Sequence, residues 1–288
     1  METIELKSWE EFQERLKFPS PSEQYRQAII ESRLPPSKVI YRGQSNADWP
    51  LDTTLQRVAD KIRYDFDFVT YIEKAVNLAD SIDTHTGSNW DLGSFGMSFK
   101  TYEDFAKGNL EQFKRVIEYL IYLRHCGFPS PLLDWTVSPY IAAFFAFCDI
   151  SHRVEKVAIY AFQEMPSGFK YIFYDKQARI KVIGFPGKTH KRHYLQQVQY
   201  TLCLKDFGET QGFGNYEEAL EANKEDCKEL EDDAFCQDLL IKYTIPAKER
   251  NNVLRQLDKM NISYVSLFDT EDALIKTLAV RELELWKE

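Results

Sequence analysis

The chain has 288 residues, of which 44% are hydrophobic, 28% charged and 14% aromatic. That balance excludes a disordered or collagen-like chain and describes a globular protein long enough to bury a large core. The net charge is −9, but the stretch 217–233 holds nine acids and two lysines and so carries −7 of it. The rest of the chain is nearly neutral, with no global drive toward nucleic acid or anionic lipid.

Ser8 and Glu11 form a capping-box pattern that opens a first helix ending near Leu16. A second helix is expected from Pro21 to just before Pro35-Pro36, and together they make 1–36 an N-terminal helical segment. Lys38 to Tyr41 reads as a short strand that delivers Arg42-Gly43-Gln44 at its end. Helical periodicity runs from Leu51 to Leu78, and Thr84 to Gly96 reads as a loop. Apolar positions from Asn109 to Cys126 predict a long buried helix closed by Gly127. Phe128 to Thr136, with Pro129 and Pro131, is expected to be an extended turn. Ser138-Pro139 caps a helix from Tyr140 to Cys148 that is apolar nearly all round.

Strands are expected at 157–162, 171–174, 180–183, 200–204 and 240–245. A helix over 247–260, a strand over 262–268 and a C-terminal helix from Glu271 follow. The class is α+β, a single interwoven domain with a helical first half and a strand-rich second half. The acidic stretch 217–233 reads as a solvated excursion.

Five scattered cysteines, with no CxxC and no Cys/His spacing suited to zinc, point to a reducing compartment and to no metal. The longest apolar run, Tyr140 to Cys148, is about half the ~20 residues a membrane span requires. The opening METIELKSWEEF does not have the form of a secretory leader. A cytoplasmic protein without membrane contact is expected. The sequence contains no HExxH, Walker loop or GxSxG elbow.

Two segments invite chemistry. Arg42, at a strand end before a glycine, can present its five-donor fork to a phosphate while the chain turns away. In Arg124 to Pro139 a helix ends at His125, Asp134-Trp135-Thr136 follow, and a capped helix N-terminus offers an anion site. Each residue also has a structural reading: Arg42 as a surface residue, His125 as a cap, Asp134 as a turn former, Trp135 as core. The cluster Lys188 to His193 reads as a solvated face or as a phosphate contact beside Gln196-Gln197.

Tyr41-Arg42-Gly43-Gln44, then His125, Gly127, Pro129, Leu132 to Thr136, Ser138-Pro139, Ala142 and Phe145-Ala146, then Gln196-Gln197, resemble the FRG domain family. The resemblance runs from about 41 to 274 and implies an FRG-type domain over 37–288. This chain departs from the family pattern in having Pro129-Ser130-Pro131 where an arginine is usual, and Val198 where a glycine is usual. By analogy, the arrangement resembles the signature of ADP-ribosyltransferase folds, with their mixed sheet. That analogy implies NAD as ligand and a nucleic acid or protein as acceptor, and the likeness to FRG-type chains implies a protein of toxin or defence type. Arg42, Gly43, Gln44, Asp134, Thr136 and Ser138 would then bind the cofactor, and Gln197 and His125 would be catalytic. The alternative is a non-catalytic module that binds nucleic acid or protein. One cleft should then gather Arg42, His125, the Asp134–Thr136 segment and Gln197.

Overall fold

The computed structural model describes residues 1–16, 38–92, 100–108, 110–164, 178–183, 191–208, 210–221 and 238–285. The expected helix from Pro21, the strand at 171–174 and most of the acidic stretch lie outside these residues. The beginning of that stretch is described: residues 216–221 are helical, and Tyr216, Ala219 and Leu220 are buried.

The α+β class holds. An eight-stranded mixed sheet has the order β1-β8-β4-β2-β3-β6-β5, with β7 paired to β6. The strands are β1 (Glu2–Glu5), β2 (Ile40–Gln44), β3 (Leu132–Thr136), β4 (Lys156–Glu164), β5 (Ala178–Val182), β6 (Val198–Asp206), β7 (Gln211–Phe213) and β8 (Asp238–Pro246). Among the described residues, only β1 and β8 run parallel; the other pairings are antiparallel. The N-terminal segment, expected to be helical, begins by extending the sheet. Helix α1 (Trp9–Arg15) follows, with the Ser8 hydroxyl accepting from the Glu11 N–H at 3.3 Å.

Strand β4 shows why the sheet is central. Val157, Ile159 and Ala161 enter one core with Trp9, Phe12 and helix α7 (Pro139–Phe147), while Ala158, Tyr160 and Phe162 enter a core on the opposite face. A strand buried on both faces reads as a continuous apolar run, and KVAIYAFQE is one. A third cluster packs α3 (Phe68–Val76), α5 (Tyr102–Gly108) and α6 (Leu110–His125) against Leu132, Tyr200 and Leu202. Helices α2 (Thr54–Ile62) and α4 (Ala79–Thr86) complete this helical half.

Two expectations are corrected. Leu132–Thr136 is a strand rather than a turn, because both prolines precede it and leave its N–H groups free to pair with β6. The segment expected as a strand at 262–268 contains α10 (Tyr264–Phe268), after α8 (Lys191–Leu195) and α9 (Arg250–Lys259). Its alternation was ambiguous. Ser263 starts the helix with a capping box, Tyr264 and Leu267 are buried one turn apart, and Asp269, at φ 51°, ends it. Helix α11 (Glu271–Ala279) follows as expected, with the Thr270 hydroxyl accepting from the Ala273 N–H.

Gly43 is required by packing. A Cβ there would lie 2.0 Å from the Ala142 carbonyl oxygen and 2.6 Å from the Ala146 nitrogen, both backbone atoms of α7. Gly43→Ala should therefore push β2 off α7 and lower stability by about 3 kcal/mol in urea unfolding. Trp135 is 3% exposed, and its Nε1 donates to Thr201 Oγ1 at 2.7 Å. Trp135→Ala should cost about 3–5 kcal/mol by the same measurement. An unchanged midpoint would leave the indole without a packing role.

Candidate functional site

Strands β2 and β3 meet at one register pair, Tyr41 with Thr136. Beyond it they part. Each keeps its outer partner: β2 stays paired with β4 from Ile40 to Gln44, and β3 stays paired with β6 from Leu132 to Thr136. The gap opens into a cleft of about 430 Å³ lined by Tyr41 to Ser45, Asp134 to Thr136, and residues from several flanking helices and from β6. Alternation puts Tyr41 and Gly43 on one face of β2 and Arg42 and Gln44 on the other, and the open sheet lets both sets reach the cleft.

Arg42 spans the gap. Its Nη1 donates to the main-chain carbonyl of Asp134 at 2.8 Å, replacing a ladder bond that the parted strands cannot make. Its Nε is buried without a hydrogen-bond partner. Burial pulls the guanidinium pKa below its ordinary value, with Asp134 opposing and Arg124 adding to the shift.

Asp134 is gripped by α6. Arg124 Nε donates to Oδ1 and Nη2 to Oδ2, each at 2.5 Å, a two-pronged pairing of the strongest kind. Burial alone would raise the Asp134 pKa, but the Arg124 charge and its hydrogen bonds, with Arg42 and His125 behind them, hold it below the ordinary carboxylate value. Arg124 was not singled out by the sequence.

His125, at the end of α6, places Nε2 3.0 Å from the Tyr200 hydroxyl and within a hydrogen bond of His193 Nε2. One of the two imidazoles must carry the proton between them. Burial raises the Tyr200 pKa strongly, so its phenol stays protonated and is available to donate. Tyr200 lies directly opposite Asp134 in the β3–β6 ladder.

Of the expected site residues, Arg42, Gly43, Gln44, His125, Asp134 and Thr136 line the cleft together. Gln197 and Ser138 are not among its lining residues. Gln197 is exposed in the turn between α8 and β6, at φ 51°, and it is Gln196 that faces the cleft, its Nε2 held by the Leu267 carbonyl at 3.1 Å. Ser138 is used as a cap, its hydroxyl accepting from the Ile141 N–H at 3.3 Å. The cleft meets the flank of α7, at Ala142 and Phe145, rather than its first turn.

The structure adds residues that sequence reasoning did not assign. Trp49, half exposed, and Arg57 on α2 line the cleft, as do Arg192 on α8 and Phe268 on α10, with the Arg192 guanidinium 5.5 Å from the Phe268 ring centroid. The basic cluster beside the glutamines was the one available signal, and it marked Arg192. Trp49 and Arg57 carry no motif.

Residues 37–155 match the family model of the FRG domain. The chain carries an FRG domain. No curated protein and no solved structure matches it. The FRG match contains Arg42, His125 and Asp134, whereas Arg192, Gln196 and Phe268 lie beyond residue 155, so the cleft joins the FRG domain to the rest of the chain. Among the described residues, no helix is long and apolar enough to cross a membrane, and no three His, Cys, Asp or Glu side chains cluster as a metal site.

The ion pair makes a pH-dependent contribution. The Asp134 pKa is depressed on folding, so its stabilisation is fully present above the unfolded value of about 3.9 and disappears as pH falls through the lower folded value. Asp134→Asn should cost about 2 kcal/mol at pH 7, leaving a largely buried Arg124 without its counter-charge. In urea titrations that gap between variant and wild type should persist to about pH 4 and close only below it.

Proposed function

We propose that this cleft binds a nucleotide through its phosphates, NAD being the ligand class it fits best, and that it serves ADP-ribosyl transfer to a nucleic acid or protein acceptor. The charge of the lining carries the reading. Arg42, Arg57 and Arg192 face the cavity against one carboxylate, and that carboxylate is already neutralised by Arg124. The balance therefore favours an anion, and guanidinium forks suit phosphate oxygens. The volume lies in the range of small-molecule sites. Trp49, Phe145 and Phe268 offer apolar surface for planar rings.

Bound NAD would supply an activated ribose bond. Within this reading the chain's own residues bind and orient. Arg42 and Arg192 hold phosphate, Thr136 and Gln196 sit near the ribose, and His125 is the acid/base candidate. Its imidazole can accept or donate a proton through a ring nitrogen and is backed by His193 and Tyr200. Asp134 does not fit a role as a free catalytic carboxylate, because both oxygens accept from Arg124. A neutral amide at 196 or 197 can hydrogen-bond a hydroxyl but brings no charge to the reaction.

Isothermal titration of the full chain with NAD and ADP-ribose tests the binding. Arg192→Ala and Arg42→Ala, each checked for folding by circular dichroism, should weaken binding by about 30- to 150-fold, corresponding to roughly 2–3 kcal/mol. No binding of either ligand by the wild type would overturn the reading. Binding without release of nicotinamide in the presence of cell extract would reduce the protein to a binding module.

A further inference from the structure

We infer that Gln44 is the residue that selects the ligand in this cleft, by accepting a hydrogen bond from an N–H of a ring amide or ring amine. The inference rests on the nucleotide reading above and goes further, to the chemistry of the ligand's ring end. Gln44 ends β2 and is 5% exposed, yet it lines the cleft. Its Nε2 donates to the Pro50 carbonyl at 3.2 Å. That contact orients the amide, since a flipped side chain would set two acceptors against each other. Oε1 is left buried with no hydrogen-bond partner. A buried acceptor of this kind is rare and costly in a folded protein, and a ligand donor removes the cost.

The surroundings narrow what that donor can be. Arg42, Arg57 and Arg192 present only N–H groups to the cavity. The Asp134 carboxylate is engaged by Arg124, and Thr136 Oγ1 accepts from the Ser138 N–H at 3.1 Å. The cleft is thus rich in donors for phosphate, and Gln44 Oε1 is an acceptor with nothing to accept. The half-exposed Trp49 precedes the proline that holds the amide, so a planar ring against the indole would lie beside Gln44. In a dinucleotide such as NAD, an N–H of this kind comes from the carboxamide of one ring or the exocyclic amine of the other.

Three dinucleotides distinguish the sources in a titration of the full chain. NAD carries both groups; nicotinic acid adenine dinucleotide lacks the carboxamide N–H; nicotinamide hypoxanthine dinucleotide lacks the exocyclic amine. One of the two analogues should bind about tenfold or more weakly than NAD, and that analogue names the ring at Gln44. The sign is informative, because the extra negative charge of the nicotinic acid analogue would otherwise favour an arginine-lined cleft. In Gln44→Met, with its melting temperature checked, the preference should fall to within about twofold. Equal binding of all three by the wild type, within about twofold, would overturn the role of Gln44 and leave the dinucleotide reading standing. Should none of the three bind, both fall together. If Gln44→Met does not fold, the wild-type comparison decides alone.

Discussion

A single cross-strand pair, Tyr41 with Thr136, holds β2 to β3, and the candidate site lies where those strands separate. Neither strand can close the gap by bending. β2 is paired with β4 along its whole length and β3 with β6 along its own, so each belongs to a rigid half of the sheet. α7 adds a further constraint, because its backbone lies against Gly43 with no room for a side chain. The interruption leaves main-chain groups that must be satisfied by something other than a neighbouring strand. Arg42 does this for the Asp134 carbonyl, and so becomes fixed in the opening.

The charges in the opening follow from that geometry. An arginine partly buried beside a strand edge needs a counter-charge, and Asp134 supplies it, but Asp134 is also claimed by Arg124. Two cations share one anion. A pairing of this kind adds little net stability compared with an apolar replacement, yet breaking it strands a buried charge, so it specifies a geometry more than it strengthens the fold. The unbalanced positive charge is the property that an anionic ligand would complete.

The FRG domain does not complete the cleft alone. Arg192, Gln196 and Phe268 come from segments that follow it, and they are tied to one another: Gln196 reaches the Leu267 carbonyl, Arg192 lies over Phe268, and Lys191 pairs with Asp269 at 2.6 Å. This outer wall is made of two short helices rather than a strand. Together with Trp49 and Arg57 it lines the opening, so the cavity draws on segments of different origin.

Much of this protein is decided locally and was legible in its residues. The caps at Ser8 and Ser138, the helix closed by Gly127 at φ 91°, and the doubly buried run of β4 depend on neighbours within a few positions. The family resemblance, carried by YRGQ and by the segment from His125 through LLDWT, likewise grouped Arg42, His125, Asp134 and Thr136, although each of them taken alone also had a structural reading. Long-range geometry decided the rest. Whether Gln196 or Gln197 enters the cleft depends on where α8 hands over to β6, a shift of one residue that turns a side chain to the opposite side. The segment at 262–268 became a helix because its buried face is one turn apart. Trp49, Arg57 and Phe268 joined the site only because separate elements converge there. No spacing along a chain records that, because a pocket is defined by distances between residues far apart in sequence, and those exist only after the sheet has chosen where to part.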